Sequence, residues 1–211
     1  MITLALAVSA VAADPVGWPS YRAGMGRAGY SNQALSFSAT ETWRHDMPAP
    51  SPAWTSPARR SYWQQLEGIL PRVTEDWANH PVVDESRVWL GSSVDDTVRC
   101  LDAPTGEILW SFVADGPVRY APVLADGRLF FGSDDGSVYC VEAGTGRLVW
   151  RERLGPRDWR IPGNGRMISL WPVRTGLVVE AGVVYAAAGL YPSQGVHAVA
   201  LDASDGSTVW R

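Results

Sequence analysis

Three stretches of the chain read alike: CLDAPTGEILW at 100–110, CVEAGTGRLVW at 140–150 and ALDASDGSTVW at 200–210. Each ends in tryptophan (Trp110, Trp150, Trp210), and each carries glycine four residues earlier (Gly106, Gly146, Gly206). The first two copies lie 40 residues apart and the next two 60, so an insertion of about 20 residues precedes the third. The match continues upstream, with VWLGSSVDDTVRC at 88–100 against LFFGSDDGSVYC at 129–140. A fixed period of this length dictates a repeat architecture, in which each unit buries its apolar face against the next.

Within one period the pattern is that of strands. In the middle copy, residues 121–125 read as a short strand and Asp126-Gly127 as a two-residue hairpin turn, a pair that tolerates the positive φ angles such a turn requires. Residues 128–133 form the second strand, and Asp134-Asp135-Gly136 turns the chain again. Residues 137–142 form the third strand, with Val138 and Cys140 on one face and Tyr139 and Val141 on the other. Gly144-Thr145-Gly146 leads into a fourth strand over 147–153. No stripe of period 3.6 runs along the chain, which excludes a helical solenoid. Four antiparallel strands per 40 residues predict an all-β chain built as a β-propeller. The blades fall at 82–120, 121–160 and 174–211, with an inserted loop at 154–173. Residues 40–44, ending in Trp43-Arg44, read as a lone fourth strand within an amino-terminal segment at 14–46, and residues 47–81 as an irregular linker. The expected ring is therefore partial, about three complete blades and one amino-terminal strand. An open arc leaves a flat apolar face uncovered, to be met by further blades or by self-association.

Eleven Trp, 21 Gly and 15 Pro in 211 residues suit many short strands and tight turns. A net charge of −4 argues against a nucleic-acid binder, which needs a basic face. Residues 4–13 (LALAVSAVAA) are too short for a membrane span, which takes roughly 20 apolar residues. They fit the core of a secretory signal at 1–13, with Val11 and Ala13 before a cut at Asp14, although no positive charge precedes the run; the alternative is a buried strand.

The pattern small-x-Asp-x-x-Thr-Gly-x-x-x-Trp resembles the tryptophan-docking motif of quinoprotein-type propellers, the pyrroloquinoline quinone (PQQ) repeat. It runs over Cys100, Asp102, Thr105, Gly106 and Trp110, then over Cys140, Glu142, Thr145, Gly146 and Trp150. The last copy keeps Ala200, Asp202, Gly206 and Trp210 but has Asp205 in place of Thr. GWPSYR at 17–22 and GNGRMISLWPVR at 163–174 also resemble secreted PQQ-like propellers of bacteria, some of which are labelled by similarity to an outer-membrane assembly factor. The resemblance implies that each indole stacks between neighbouring blades with its N–H on a backbone carbonyl next door. Glycine permits the turn, and the Asp and Thr side chains bond its backbone. Cys100 and Cys140 hold the small-residue position of consecutive blades, beyond the ~7 Å Cα separation a disulfide needs, so both are expected as free buried thiols.

Recognition chemistry concentrates in the insertion. Seven arginines lie between 147 and 174, interleaved with Trp159 and Trp171 around a Gly163-Asn164-Gly165 turn. Guanidinium forks beside aromatic rings suit carboxylate, phosphate or sugar groups. Arg119, Arg160, Asn164, Arg166, Trp171 and Arg174 are accordingly the candidate ligand-binding residues, with Tyr120 beside Arg119. The other reading is a solvated loop whose arginines pair with Asp158, Glu152 or neighbouring blades.

No catalytic residue is identified. His45, His80 and His197 show no metal-ligand spacing, and neither a Gly-x-Ser-x-Gly elbow nor a phosphate loop is present. PQQ and calcium enter only as what the resemblance implies; its Glu-Asn-Asp calcium set and vicinal Cys pair are unmatched here, and Asp95-Asp96 and Asp134-Asp135 read as turn residues. The expectation is a periplasmic or secreted, non-catalytic binding or assembly scaffold for an envelope or extracellular protein partner or an anionic small ligand. The alternatives are a PQQ- and calcium-dependent dehydrogenase whose catalytic part lies beyond residue 211, and a sensor module joined to a separate enzyme domain.

Overall fold

Residues 17–24, 26–30, 40–48, 66–67, 80–163 and 166–211 are described by a computed structural model of the chain. The expected signal at 1–13, much of the linker at 47–81 and Asn164 lie outside these residues. Three four-stranded antiparallel sheets follow one another along the sequence. The first holds β1 (Val82–Val83), β2 (Arg87–Gly91), β3 (Thr97–Asp102) and β4 (Ile108–Val113). The second holds β5 (Val123–Ala125), β6 (Arg128–Gly132), β7 (Ser137–Glu142) and β8 (Leu148–Arg153). A two-stranded hairpin, β9 (Arg160–Gly163) and β10 (Arg166–Ser169), precedes the third sheet. That sheet holds β11 (Val178–Glu180), β12 (Val183–Ala188), β13 (His197–Asp202) and β14 (Thr208–Trp210). The chain is all-β, each sheet is one meandering propeller blade, and the insertion folds as a hairpin of its own.

The middle blade shows why the strands carry so little polar sequence. β6 and β7 are covered on both faces, so successive residues alternate between two neighbours rather than between core and water. Leu129, Phe131, Tyr139 and Val141 pack with Trp89, Val98 and Val118 of the first blade and its exit. Phe130, Val138, Cys140 and Trp150 pack with Val184, Val199 and Leu201 of the third.

The tight turns lie where glycine allows them. Asp126 (φ 48°) and Gly127 (φ 71°) are both left-handed, as a two-residue hairpin demands. Opposite each docking indole stands the small residue of its repeat: Cys100 faces Trp110, Cys140 faces Trp150 and Ala200 faces Trp210. In all three sheets the register slips by one residue just beyond that pair, a bulge that accommodates the large ring beside a small partner. Both thiols are free and buried, and burial raises each pKa to about 11.

Residues 17–24, 26 and 27 lie along the first strands of all three blades. Trp18 exchanges two backbone bonds with Val83 of β1, at 2.7 and 3.0 Å. The Leu124 N–H of β5 donates to the Pro19 carbonyl at 2.8 Å, and Arg27 donates from Nη2 to the Gly176 carbonyl, ahead of β11, at 3.0 Å. The strand expected over 40–44 is not formed: residues 40–48 pair with no sheet edge among the described residues. Trp43 nevertheless docks on the first blade, because docking requires only an indole against a turn, not a paired strand.

Candidate functional site

Docking sets the relative position of the blades, and it repeats with one geometry. The indole Nε1 of Trp43 donates to the Ala103 carbonyl at 2.8 Å, that of Trp110 to Ala143 at 3.1 Å and that of Trp150 to Ala203 at 3.0 Å. Each acceptor follows the acidic residue of the next turn. The Asp102 carboxylate accepts from the Thr105 N–H and hydroxyl at 3.0 and 2.8 Å; Glu142 accepts from the Thr145 hydroxyl at 2.7 Å; Asp202 accepts from the Ser204 N–H at 2.7 Å. Gly106, Gly146 and Gly206 (φ 75°, 71° and 78°) lie directly under the indoles of Trp43, Trp110 and Trp150. Trp89 adds a second donor to the Ala143 carbonyl, and Arg128 a second to that of Ala203.

The opposite ends of the blades carry the buried ion pairs. There the β2–β3 and β6–β7 turns meet the connection 114–122 and the insertion. At the centre stands Asp134, whose side chain is only 1% exposed. Arg119 donates from Nε to Oδ2 at 2.6 Å; Arg174 grips both oxygens, Nε to Oδ1 at 2.8 Å and Nη2 to Oδ2 at 2.7 Å. Its backbone joins the same elements, the N–H donating to Pro117 at 2.9 Å and the carbonyl accepting from Ser169 at 2.8 Å. Burial works against the Arg174 charge, but the bonds to Asp134 more than restore it and raise its pKa.

The next residue anchors a second knot. Asp135, fully buried, accepts from the Ser137 N–H at 2.9 Å, the Tyr139 hydroxyl at 2.6 Å and Arg151 Nη2 at 2.6 Å. Burial and the adjacent Asp135 charge push the Tyr139 phenol well above its ordinary range. The Arg151 guanidinium lies 5.0 Å from the centre of the Tyr139 ring and reaches Asp115 as well.

The inserted hairpin is fastened to the first blade. Arg166 pairs with Asp96 and donates from Nη2 to the Val94 carbonyl at 2.7 Å. Burial raises the Asp96 pKa; Asp95 and Asp134 add to that, and Arg166 opposes it. On the outer side, Arg153 and Arg160 share Asp158 at 3.1 and 3.4 Å. Trp159 is 51% exposed with Arg157 stacked 5.5 Å from its centre, and Met167 is 52% exposed.

Of the candidate recognition residues, Arg119 and Arg174 converge on one carboxylate, Arg166 ties the hairpin to blade one, and Arg160 stays at the surface. Trp171 does not reach a ligand surface. It is 4% exposed, packed over Gly155, with its N–H on the Gln194 carbonyl at 2.7 Å, because the chain re-entering the third blade buries it. Asp134 and Asp135 do more than shape a turn: they hold four elements together. The signal that reveals them is a second repeat, Pro-Val-Arg, at 117–119 and again at 172–174. Its valines pack on Gly91 and Gly132, and its arginines both end on Asp134.

Among the described residues no three His, Cys, Asp or Glu side chains converge on one point. The carboxylates that reach this end are engaged by arginine, so a calcium ion would have to displace a guanidinium to bind them.

A family model described as "Outer membrane protein assembly factor BamB" matches residues 33–211. No curated protein matches the chain. Among solved structures, quinohemoprotein alcohol dehydrogenase from Comamonas testosteroni superposes with a TM-score of 0.58 at 19% identity, over 95% of this chain and 28% of that one. A europium-containing methanol dehydrogenase gives 0.49 at 17% identity (64% and 25%), and BamB from Moraxella catarrhalis 0.40 at 16% (62% and 46%). The chain thus spans between about a quarter and a half of the length of these structures. The likeness to the first is one of fold.

Proposed function

The chain belongs to the PQQ-type propeller family described as outer membrane protein assembly factor BamB, and from that premise we propose that it is a non-catalytic binding or assembly scaffold, periplasmic or secreted. Its blades supply a rigid platform, and the inserted hairpin supplies the surface that a protein partner meets. No helix among the described residues is long and apolar enough to cross a membrane.

The observation that carries this reading is the exposure of the insertion: Trp159, just ahead of β9, is half-exposed under Arg157, and Met167 of β10 is half-exposed as well. Tryptophan and arginine dominate the energetics of protein interfaces when they are held in place before binding. Here the holding is done by Arg166 on Asp96 and by the Ser169 N–H on Asp134, which join the hairpin to two blades.

The test is affinity capture from an envelope extract with the full chain, the Trp159→Ala/Arg160→Ala double variant and the distant Arg147→Ala variant. Proteins retained by the wild type and by Arg147→Ala should be lost from the double variant, with all three melting alike. Equal recovery by the double variant would sink the reading. Spectral uptake of added PQQ with calcium would instead favour the dehydrogenase.

A further inference from the structure

The amino-terminal strap, through Tyr21 and Arg27, borders a feature that the hairpin does not use. Among the described residues Arg27 pairs with no carboxylate, whereas Arg119, Arg151, Arg166 and Arg174 each hold at least one. Its Nη2 donates to the Gly176 carbonyl at 3.0 Å, and its guanidinium stands 5.9 Å from the centre of the Tyr21 ring. Tyr21 in turn meets His80, with ring centres 4.7 Å apart. Together with Tyr120, Ala121 and Gly176, these residues line a cavity of about 160 Å³ where the strap passes the first strands.

Size and lining select the occupant. A cavity of about 150 Å³ holds one benzene ring, and this one is of that size. Tyr21, Tyr120 and His80 offer ring faces and edges to a flat apolar body. Arg27 offers a planar fork whose remaining N–H groups match a carboxylate, and no acid among the described residues neutralises it. We propose that this cavity binds a small monocarboxylate built on a single ring, with the carboxylate on Arg27 and the ring between Tyr21, His80 and Tyr120. The site is independent of the partner surface on the hairpin: the two share no residue.

Benzoate is the probe, and benzamide its neutral counterpart of the same shape. Titrated into the full chain and followed by calorimetry or ligand-observed NMR, benzoate should bind saturably with a Kd on the order of 1 mM. Benzamide should bind at least tenfold more weakly to the wild-type chain, a comparison that needs no variant to fold. Arg27→Gln should weaken benzoate by at least tenfold while leaving benzamide unchanged. Absence of saturable benzoate binding, equal binding of benzamide, or undiminished benzoate binding by Arg27→Gln would each overturn the assignment.

Discussion

The Trp110 indole rests on Gly146 of the next blade so closely that a Cβ at position 146 would stand 2.6 Å from Cε3 of the ring. The same glycine has φ 71°. Gly146→Ala therefore meets two obstacles, overpacking at about 1–3 kcal/mol and a left-handed backbone at about 1–2 kcal/mol. Chemical denaturation should show a loss toward the sum of these. A loss below about 0.5 kcal/mol, the range of an ordinary surface change, would mean that the indole does not press on this turn.

Two docking tryptophans separate the interface from the residue type. Trp150 is 8% exposed beneath the third blade, while Trp210 is 49% exposed and touches Tyr185 of its own sheet. Trp150→Ala should cost about 3–5 kcal/mol, and Trp210→Ala at most about 1 kcal/mol. Similar losses, read from urea midpoints at constant slope, would contradict the arrangement.

Asp134 is the residue whose neutralisation should be felt farthest. Asp134→Asn keeps the shape but leaves Arg119 and Arg174 without their shared charge, a change that costs about 3–5 kcal/mol when the pair is buried. Hydrogen exchange should then accelerate in 114–122 and 170–177 together, the two connections it joins. Acceleration confined to the β6–β7 turn would assign Asp134 a local role only.

Acid should act on the first blade at a definable place. Burial alone would raise the Asp95 pKa, yet Arg99, Ser92 and Thr97 together bring it down to about 2. An unfolded Asp titrates near ~3.9, so its contribution is full above that pH and disappears as the pH falls through about 2. The stability difference between wild type and Asp95→Asn should shrink across that window. A difference that stays constant from about pH 5 to about 2 would refute the role of its charge.

What could be read from the sequence was what is periodic. The strands, the left-handed glycines and the small residues opposite each indole recur within one repeat length, so each copy corroborates the others. The arginine and aspartate lattice is not periodic. Asp134 sits at a position occupied by Ser93 in blade one and Gly189 in blade three, so it carries no repeat signature of its own. Acidic residues in a turn have a sufficient local explanation, and only the Pro-Val-Arg pair pointed elsewhere. The burial of Trp171 is not legible in the sequence, because neighbours in sequence, here a run of arginines, say nothing about which side chain the next blade will cover. GWPSYR at 17–22 carries a resemblance but not its pairing: Trp18 and Val83 are separated by 65 residues, and a single bridge leaves no pattern.

Indole N–H groups bonded across blades hold the propeller together, and proton–deuterium exchange of the tryptophan Nε1–H signals by NMR reads those bonds directly. The Nε1–H groups of Trp89, Trp110, Trp150 and Trp171, each on a backbone carbonyl, should exchange slowly, and those of the half-exposed Trp159 and Trp210 rapidly. Exchange of Trp110 and Trp150 as fast as that of Trp210 would contradict the docking of blade on blade, and with it the platform proposed for recognition.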